Sequence, residues 1–409
     1  MGSNFSSEFF KGNRERLKQL FSGTAPIIVT ANGLLQKGSD ETFPFHQDRS
    51  FWYLTGIDEP NALLVLDKSK ELLIIPKKDT AKETFDGASD FAEIERISGI
   101  SDILDDKKGW KRLESRLKKV NHVATLAAAP RFVDLWGMYT NPARAELIQR
   151  IKSINDDAEL LDLREHLARL RVVKQDVELT AIQSAIDTTV DTLKEVIRPS
   201  KLTKYAYEYE VEADISKGFR RRGATGHAFS PVVASGKRAC TLHYIANNGA
   251  LASDELLVMD VGVEYDHYAA DITRTVSLSS PSNRQQAVYD AVLDVQEFGL
   301  SQLKPGVSFA ECEKQLRAYM GEKLRELGLI KTIDEEAVRK YYPHAPHYMG
   351  LDVHDVGDYH APLEPGMVLT VEPGIYIPEE DIGVRIEDDV LITTDGIKVL
   401  TSNLPRALA

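Results

Sequence analysis

Two acidic residues stand within apolar, β-branched sequence in LLVMDVGVEYDHYAADITRTV (256–276). This pattern predicts a β-hairpin that turns near Tyr265-Asp266 and sets Asp260 opposite Asp271. Like charges at directly opposed positions of a hairpin are destabilising. The hairpin can therefore pack into a core only if another group neutralises the two carboxylates. This segment limits both the fold and the chemistry of the chain.

A second acidic pair follows in VLTVEPGIYIPEEDIGVRIEDDVLIT (368–393), where a turn at PEED would set Glu372 opposite Glu387. Buried carboxylates must be paired with cations, protonated or bound to metal. The nearby basic residues are Arg274 beside the first pair and Arg385 beside the second. Two arginines cannot neutralise four clustered acids, so the two pairs predict bound divalent cations.

Several histidines lie near the two acidic pairs in the sequence. The segment YYPHAPHYMGLDVHDVGDYHA (341–361) contains His344, His347, His354 and His360, and the upstream segment CTLHYIANN contains His243. Imidazole binds metals and transfers protons. A site of carboxylate oxygens with one imidazole suits a hard cation such as Mn²⁺ better than a thiolate-type zinc site. Two clustered metals commonly catalyse hydrolysis through a hydroxide between them, while they polarise the scissile carbonyl.

The chain is long enough for two domains, because 409 residues exceed one typical hydrophobic core. Its first part alternates short apolar stretches with helical spacing, which predicts an α/β domain over residues 1–173. Strands are predicted at residues 26–32, 49–56, 61–67, 71–76 and 121–129, with a hairpin turn at Lys68-Ser69 and helices at 90–104 and 141–155.

Residues 157–197 are charged and helical without a strand pattern, and the domain boundary is predicted inside them, near residues 171–175. Residues 174–409 form the second domain, with an α+β order of elements. Its helices are predicted at 205–223, 285–303 and 308–328, with strands between and after them.

The composition excludes several classes of function. A net charge of −13 argues against a nucleic-acid-binding surface. The basic run at 107–119 has the spacing of a solvated amphipathic helix. No apolar run is long enough to predict a membrane span. The two cysteines, Cys240 and Cys312, form no CxxC motif, and no secretory signal is evident. These features predict a cytoplasmic protein.

The second domain resembles the pita-bread metallopeptidases, which include methionine aminopeptidase, prolidase, aminopeptidase P and creatinase. The motifs MDVG, ADITRT, GLDVHD, TVEPGIY and GVRIEDD carry this resemblance. FPFHQDRSFWYLTGIDEPNALLVLD (43–67) resembles the first domain of aminopeptidase P, which methionine aminopeptidases lack. The resemblance implies a pita-bread catalytic domain and removal of the N-terminal residue from peptides with proline at the second position.

The resemblance also implies a set of metal ligands for two divalent ions, with Mn²⁺ expected. Asp260 would hold one ion, His347 and Glu372 the other, and Asp271 and Glu387 would bridge them. A hydroxide between the ions would attack the carbonyl before proline, and Glu372 would accept its proton.

Three further residues match functional positions of the family. His354 matches a histidine that stabilises the oxyanion or binds the substrate carbonyl. His243 matches one that lines the proline pocket, and Arg385 matches a supporting arginine. The sequence departs from the family at PHAPH, where His344 lies three rather than four residues before His347, so no role is assigned to His344.

Other interpretations of the sequence remain open. A prolidase shares the ligands but accepts only dipeptides. A pita-bread binding module without catalysis usually lacks several ligands, and a creatinase-like hydrolase works without metal. The resemblance implies a homodimer or homotetramer that acts on peptides with an N-terminal Xaa-Pro sequence. The net charge and the lack of a long apolar run predict no nucleic-acid or membrane partner.

Overall fold

The computed structural model describes residues 4–21, 23–127, 137–343 and 346–408. The described residues form two compact units, Phe5–Leu170 and, together with Asn4, Arg171–Ala409. We keep 1–173 and 174–409 as a proposed division into domains. No helix in the described ranges is long and apolar enough to cross a membrane.

The N-terminal unit is built on a mixed six-stranded sheet. Its strands are β1 Ile27–Thr30, β2 Leu63–Asp67, β3 Lys70–Ile75, β4 Ile103–Asp105, β5 His122–Thr125 and β6 Glu159–Asp162. They lie in the order β4-β3-β2-β1-β5-β6. The strands β1, β2 and β3 pair antiparallel, and the outer pairs are parallel. This arrangement confirms the predicted α/β class.

Helices accompany this sheet along the chain. They are α1 Ser7–Leu20, α2 Arg49–Thr55, α3 Thr80–Asp86, α4 Phe91–Ser98, α5 Asp106–Leu117, α6 Ala143–Ile154 and α7 Arg164–Val172. Apolar residues of α5 and α6, such as Leu117 and Ile151, pack in one cluster with Ile28, Val65 and Ile74 of the central strands. The predicted basic amphipathic helix is confirmed as α5, and the predicted turn at Lys68-Ser69 is confirmed between β2 and β3.

The segment predicted as a strand at 49–56 is instead helix α2. A carboxylate oxygen of Asp48 accepts hydrogen bonds from the backbone N–H groups of Ser50 and Phe51, which caps the start of the helix. Gly56, at φ 71°, ends it in the left-handed conformation. All seven helical residues are buried. A helix buried on every side has no polar face, so its sequence lacks the 3.6-residue period.

Two short strands were not predicted. β6 lies inside residues 157–197, where the prediction of a purely helical segment was wrong, and β4 ends the helical pattern at 90–104. Both strands lie at the edges of the sheet. Segments of three or four residues are too short to show a two-residue period against flanking helices.

The C-terminal unit contains several small antiparallel sheets. Its strands are β7 Gly226–His227, β8 Val232–Ser235, β9 Leu256–Val261, β10 Val263–Tyr265, β11 Tyr268–Ala269, β12 Ile272–Ser277, β13 Val368–Val371, β14 Gly374–Ile377, β15 Ile382–Arg385, β16 Asp388–Thr393 and β17 Gly396–Val399. The sheets have the orders β11-β10-β7, β12-β9-β8, β13-β16-β17 and β14-β15.

Helices surround these sheets, in agreement with the predicted α+β order. They are α8 Asp176–Val196, α9 Pro199–Leu202, α10 Glu208–Arg221, α11 Asn283–Gln302, α12 Phe309–Glu326 and α13 Glu335–Tyr341. Buried residues of α11 and α12, such as Val292 and Met320, pack in one cluster with Ile375 of β14 and Val384 of β15. This cluster supports the two strands that lead into and out of the second acidic pair.

The first acidic hairpin has a different register from the one predicted. Asp260 pairs with Thr273, and Asp271 lies between β11 and β12. The two turn residues are Asp266 and His267, with φ of 50° and 70°. Two positive φ angles are typical of a type I′ hairpin turn. The turn is centred one residue later than predicted, so the two carboxylates are not directly opposed.

The register of the second acidic pair is confirmed. Strands β13 and β16 pair Val371 with Asp388, and β14 pairs with β15 at the same offset. This offset sets Glu372 opposite Glu387, between the two paired segments. Glu372 therefore lies between β13 and β14, and Glu387 lies between β15 and β16, where the regular strand pairing is interrupted.

Gly262 stands between β9 and β10, where no side chain fits. A Cβ atom there would lie 1.6 Å from the carbonyl oxygen of Ala270. We expect Gly262→Ala to lower the free energy of unfolding by about 3 kcal/mol, since the strands must move apart. Gly226→Ala in β7 is the matched control, because nothing lies within 4 Å of its Cβ position. Urea denaturation should separate the two variants, and equal stabilities would contradict the prediction.

Candidate metal centre

Three buried residues bring possible metal-binding atoms together. Asp271, His347 and Glu387 each offer one atom, and these atoms lie within 4.8 Å of one another. Asp271 directly precedes β12, and Glu387 directly precedes β16. The backbone N–H of His347 donates to Oγ1 of Thr370 at 3.1 Å. Residues from three distant parts of the sequence therefore meet at one buried point.

The imidazole of His347 is oriented for a cation. Its Nδ1 lies 3.1 Å from the carbonyl oxygen of Tyr348, which can only accept a hydrogen bond, so we assign the proton of neutral His347 to Nδ1. Nε2 then presents its lone pair 3.3 Å from Oε1 of Glu372 and 3.4 Å from Oδ2 of Asp271. A lone pair and two carboxylates repel one another unless a positive charge lies between them.

Asp260 also has an unused oxygen at the site. Its Oδ2 accepts a hydrogen bond from Nη2 of Arg385 at 2.5 Å. Its Oδ1 is buried, and no donor among the described residues reaches it. A buried acceptor without a donor costs free energy. Oδ1 of Asp260 is thus suited to a cation, and the residues present fit the predicted divalent ions.

The raised pKa values of the buried acids also indicate a site for cations. Burial raises the pKa of Asp271 well above its usual range, and the charges of Asp260, Asp389 and Glu372 raise it further. Burial likewise raises the pKa of Glu387, with Asp271 as its strongest charged neighbour. Four or more acids in this volume are compensated only in part by Arg385. Carboxylates with one imidazole are a ligand set for hard divalent cations.

The metal-free protein should be weakened by this repulsion. The pKa of Asp271 is raised in the folded state, so folding binds protons, and stability falls as pH rises above about 4. We expect metal-free Asp271→Asn to be more stable than the metal-free wild type at neutral pH, with the difference disappearing towards pH 4. Urea unfolding with a chelator, measured across this range, tests it. A difference that does not grow with pH would contradict the prediction.

Each arginine bonds to an acid outside the pair beside which it stands in the sequence. Arg385, in the segment of the Glu372–Glu387 pair, donates to Asp260 at 2.5 Å. Arg274, in the segment of the first pair, donates through Nη2 to Asp388 at 2.7 Å. Successive residues of a strand point to opposite faces, so Arg274 faces away from the side on which its neighbour Thr273 lies.

Sequence reasoning missed several groups that support the centre. Oγ1 of Thr273 donates to Glu387 at 2.6 Å, and Oγ1 of Thr370 donates to Glu372 at 3.1 Å. Each threonine stands two residues from an acid on the same strand segment. Such a spacing places both side chains on one face, which is the signal that could have revealed them. Asp389, also missed, accepts the backbone N–H of Asp271 at 3.2 Å.

His354 lies beside the centre. Its ring centroid is 4.2 Å from that of His347. Partial desolvation of the ring and the proximity of His347 lower the pKa of His354 to about 4, and His243 contributes in the same direction. His243 is exposed, in the loop that follows the 3₁₀ turn Gly236–Cys240. The predicted roles of both histidines stay predictions, and His344 lies outside the described residues.

Comparison with known proteins places both units in described families. The model of metallopeptidase family M24 matches residues 180–394, and that of the aminopeptidase P N-terminal domain matches residues 10–124. The chain is 35% identical to Xaa-Pro aminopeptidase 3 of Rattus norvegicus, over 93% of this chain and 78% of the relative. It is 31% identical to Xaa-Pro aminopeptidase of Escherichia coli, over 99% and 96%.

Solved structures give the same result. Aminopeptidase P from E. coli with the inhibitor Pro-Leu is similar at a TM-score of 0.86 and 30% identity, covering 98% of this chain and 96% of that one. Proline aminopeptidase P II from Yersinia pestis is similar at a TM-score of 0.84 and 29% identity, covering 98% of both chains.

Proposed function

Because this chain belongs to metallopeptidase family M24, we propose that peptides are cleaved at the buried group around Asp271, His347 and Glu387. The protein is a metal-dependent aminopeptidase that removes the N-terminal residue before proline. Its C-terminal unit has the pita-bread fold, preceded by the aminopeptidase P N-terminal domain. One observation carries the proposed location: buried acids converge on an imidazole whose lone pair faces them.

The proposed ligands are those predicted from the sequence. Asp260 would hold one divalent ion, His347 and Glu372 would hold the other, and Asp271 and Glu387 would contribute to both. When bound, two such ions polarise the scissile carbonyl and allow water to act as a nucleophile near neutral pH. Carboxylates and one imidazole favour Mn²⁺ over ions that prefer thiolates.

The side chains around the ions position the substrate and transfer protons. Glu372, 3.3 Å from His347, accepts a proton from the attacking water. With a pKa of about 4, His354 is neutral at pH 7, and its N–H can donate to the substrate carbonyl as negative charge develops. Arg385 holds Asp260 and receives support from Tyr376, whose hydroxyl accepts from Nη1 at 2.7 Å.

Metal removal and replacement test this proposal. We expect the chelated protein to lose hydrolysis of Xaa-Pro-Yaa tripeptides and to regain it with Mn²⁺, with Zn²⁺ and Co²⁺ as comparisons. Calorimetry should give two equivalents of Mn²⁺ per chain. A protein that binds no metal and cleaves no peptide would be a binding module. A preference for Xaa-Pro dipeptides over tripeptides would favour the prolidase alternative.

The oligomeric state, the location and the partners of the protein are further parts of the proposal. We propose a homodimer or homotetramer in the cytoplasm, acting on peptides with an N-terminal Xaa-Pro sequence and binding neither nucleic acid nor membrane. The net charge of −13 supports the last two points. Light scattering that gives a monomer at micromolar concentration would contradict the oligomeric state.

A further inference from the structure

A buried cluster of charges lies next to His354 and outside the proposed metal ligands. The side chain of Asp355 is 1% exposed. Its Oδ1 accepts from Nη2 of Arg171 at 2.5 Å, and its Oδ2 accepts from Nζ of Lys174 at 3.1 Å. Arg171 and Lys174 are 4% and 1% exposed, so all three charges are removed from water. Such a cluster holds its members in one arrangement, because separating them leaves a buried charge unpaired.

The cluster also fixes the loop that runs from His347 to His354. The backbone N–H of Asp355 donates to the carbonyl oxygen of Tyr348 at 2.8 Å, so the loop closes on itself. The N–H of Val356 donates to Oδ1 of Asp355 at 2.9 Å. The carboxylate of Asp355 therefore accepts hydrogen bonds both from two cationic side chains and from the backbone at the end of the loop.

Gly350 shows how tightly the cluster packs against this loop. A Cβ atom at Gly350 would lie 2.2 Å from Oδ2 of Asp355 and 2.9 Å from Cε of Lys174. The loop backbone and the ion cluster thus occupy adjoining space, with no room for a methyl group between them. Movement of the carboxylate would move the loop.

The cluster fixes the chain directly after His354, because Asp355 is the next residue. The ring of His354 lies 4.2 Å from that of His347. We propose that Asp355, held by Arg171 and Lys174, is a positioning residue that fixes His354 beside the metal centre. This inference rests on the proposed function, in which the N–H of His354 donates a hydrogen bond to the substrate carbonyl.

Asp355→Asn is the direct test. The variant keeps the size of the side chain and removes the charge that Arg171 and Lys174 hold. We expect kcat to fall about 100-fold, as for a misplaced catalytic group. Mn²⁺ binding should be unchanged, because His347 at the other end of the loop is held separately by Thr370. Asp352→Asn is the matched control: Asp352 also accepts from Nη2 of Arg171, at 2.7 Å, but is 44% exposed. It should retain kcat within about threefold, which is under 1 kcal/mol.

A second variant avoids unpairing the buried cations. Gly350→Ala keeps every charge, and its methyl group displaces the carboxylate of Asp355 and the end of Lys174 by contact. We expect the same loss of kcat with retained Mn²⁺ binding. If Asp355→Asn does not fold in thermal unfolding experiments, Gly350→Ala decides the question.

A double-variant cycle separates positioning from a general structural effect. If Asp355 acts through His354, adding Asp355→Asn or Gly350→Ala to His354→Ala should lower kcat no further than His354→Ala does alone. The inference would be overturned if the losses in kcat multiplied in the double variants. It would also be overturned if folded Asp355→Asn and Gly350→Ala kept the kcat of the wild type. Either result would leave the proposed function intact. Wild-type kcat in His354→Ala would instead overturn the proposed role of His354, and the inference with it.

Discussion

Asp271→Asn should abolish hydrolysis of Xaa-Pro-Yaa peptides, with kcat/KM reduced about 1000-fold or more. Asp271 lies within 4.8 Å of His347 and Glu387, and its Oδ2 is 3.4 Å from Nε2 of His347. An amide is a weaker ligand than a carboxylate and carries no charge to balance a second cation. The loss of several kcal/mol of stabilisation in the transition state corresponds to at least three orders of magnitude in rate.

The same variant should bind fewer metal ions. Steady-state kinetics give the loss of rate, and metal analysis after dialysis gives the loss of bound Mn²⁺. Asp266→Asn makes the same chemical change in the turn of the same hairpin, where asparagine tolerates the φ of 50°. This control should keep both activity and metal. Two retained ions and near-normal activity in Asp271→Asn would remove it from the ligand set.

Arg274→Met should cost about 3–5 kcal/mol of stability, as expected when one partner of a buried ion pair is removed. The Arg274 side chain is 2% exposed and that of Asp388 is 1% exposed. Besides Asp388, the guanidinium donates to the carbonyl oxygens of Glu387 and Leu404. Gln296 and Thr401 still donate to Asp388 in the variant but carry no charge, and Arg406, 3.5 Å away and 30% exposed, replaces the lost charge only in part.

An exposed ion pair provides the control for Arg274→Met. Arg284 bonds to Glu380 at 2.7 Å, but the two side chains are 35% and 34% exposed. Arg284→Met should therefore cost no more than about 1 kcal/mol. Urea unfolding of both metal-free variants measures the contrast. A loss below about 1 kcal/mol for Arg274→Met would show that burial of this pair contributes little.

The register of the first hairpin shows where sequence patterns stop being sufficient. The predicted and observed registers pair Asp260 with residues two apart, Asp271 and Thr273. A shift of two residues leaves every side chain on the same face, so alternation of apolar residues cannot distinguish the two. The turn decides between them, through the positive φ angles at Asp266 and His267. The second hairpin was predicted correctly because its polar PEED segment marks the turn without ambiguity.

The acidic residues of the site could be predicted from the sequence, whereas the side chains that support them could not. The acids stand out in the sequence because charge is rare within apolar strands, and the family motifs supply their order. The partners of Arg274 and Arg385 could not be predicted, because they depend on which strand ends meet in space. Thr273 and Thr370 escaped notice because threonine is common in strands without any role in a site.

The ring of His347 is already oriented by a hydrogen bond before any metal ion binds. Because Nδ1 is engaged by the Tyr348 carbonyl 3.1 Å away, the ring need not rotate or exchange its proton when an ion arrives. As a proposed ligand, His347 would then lose little conformational entropy when an ion binds.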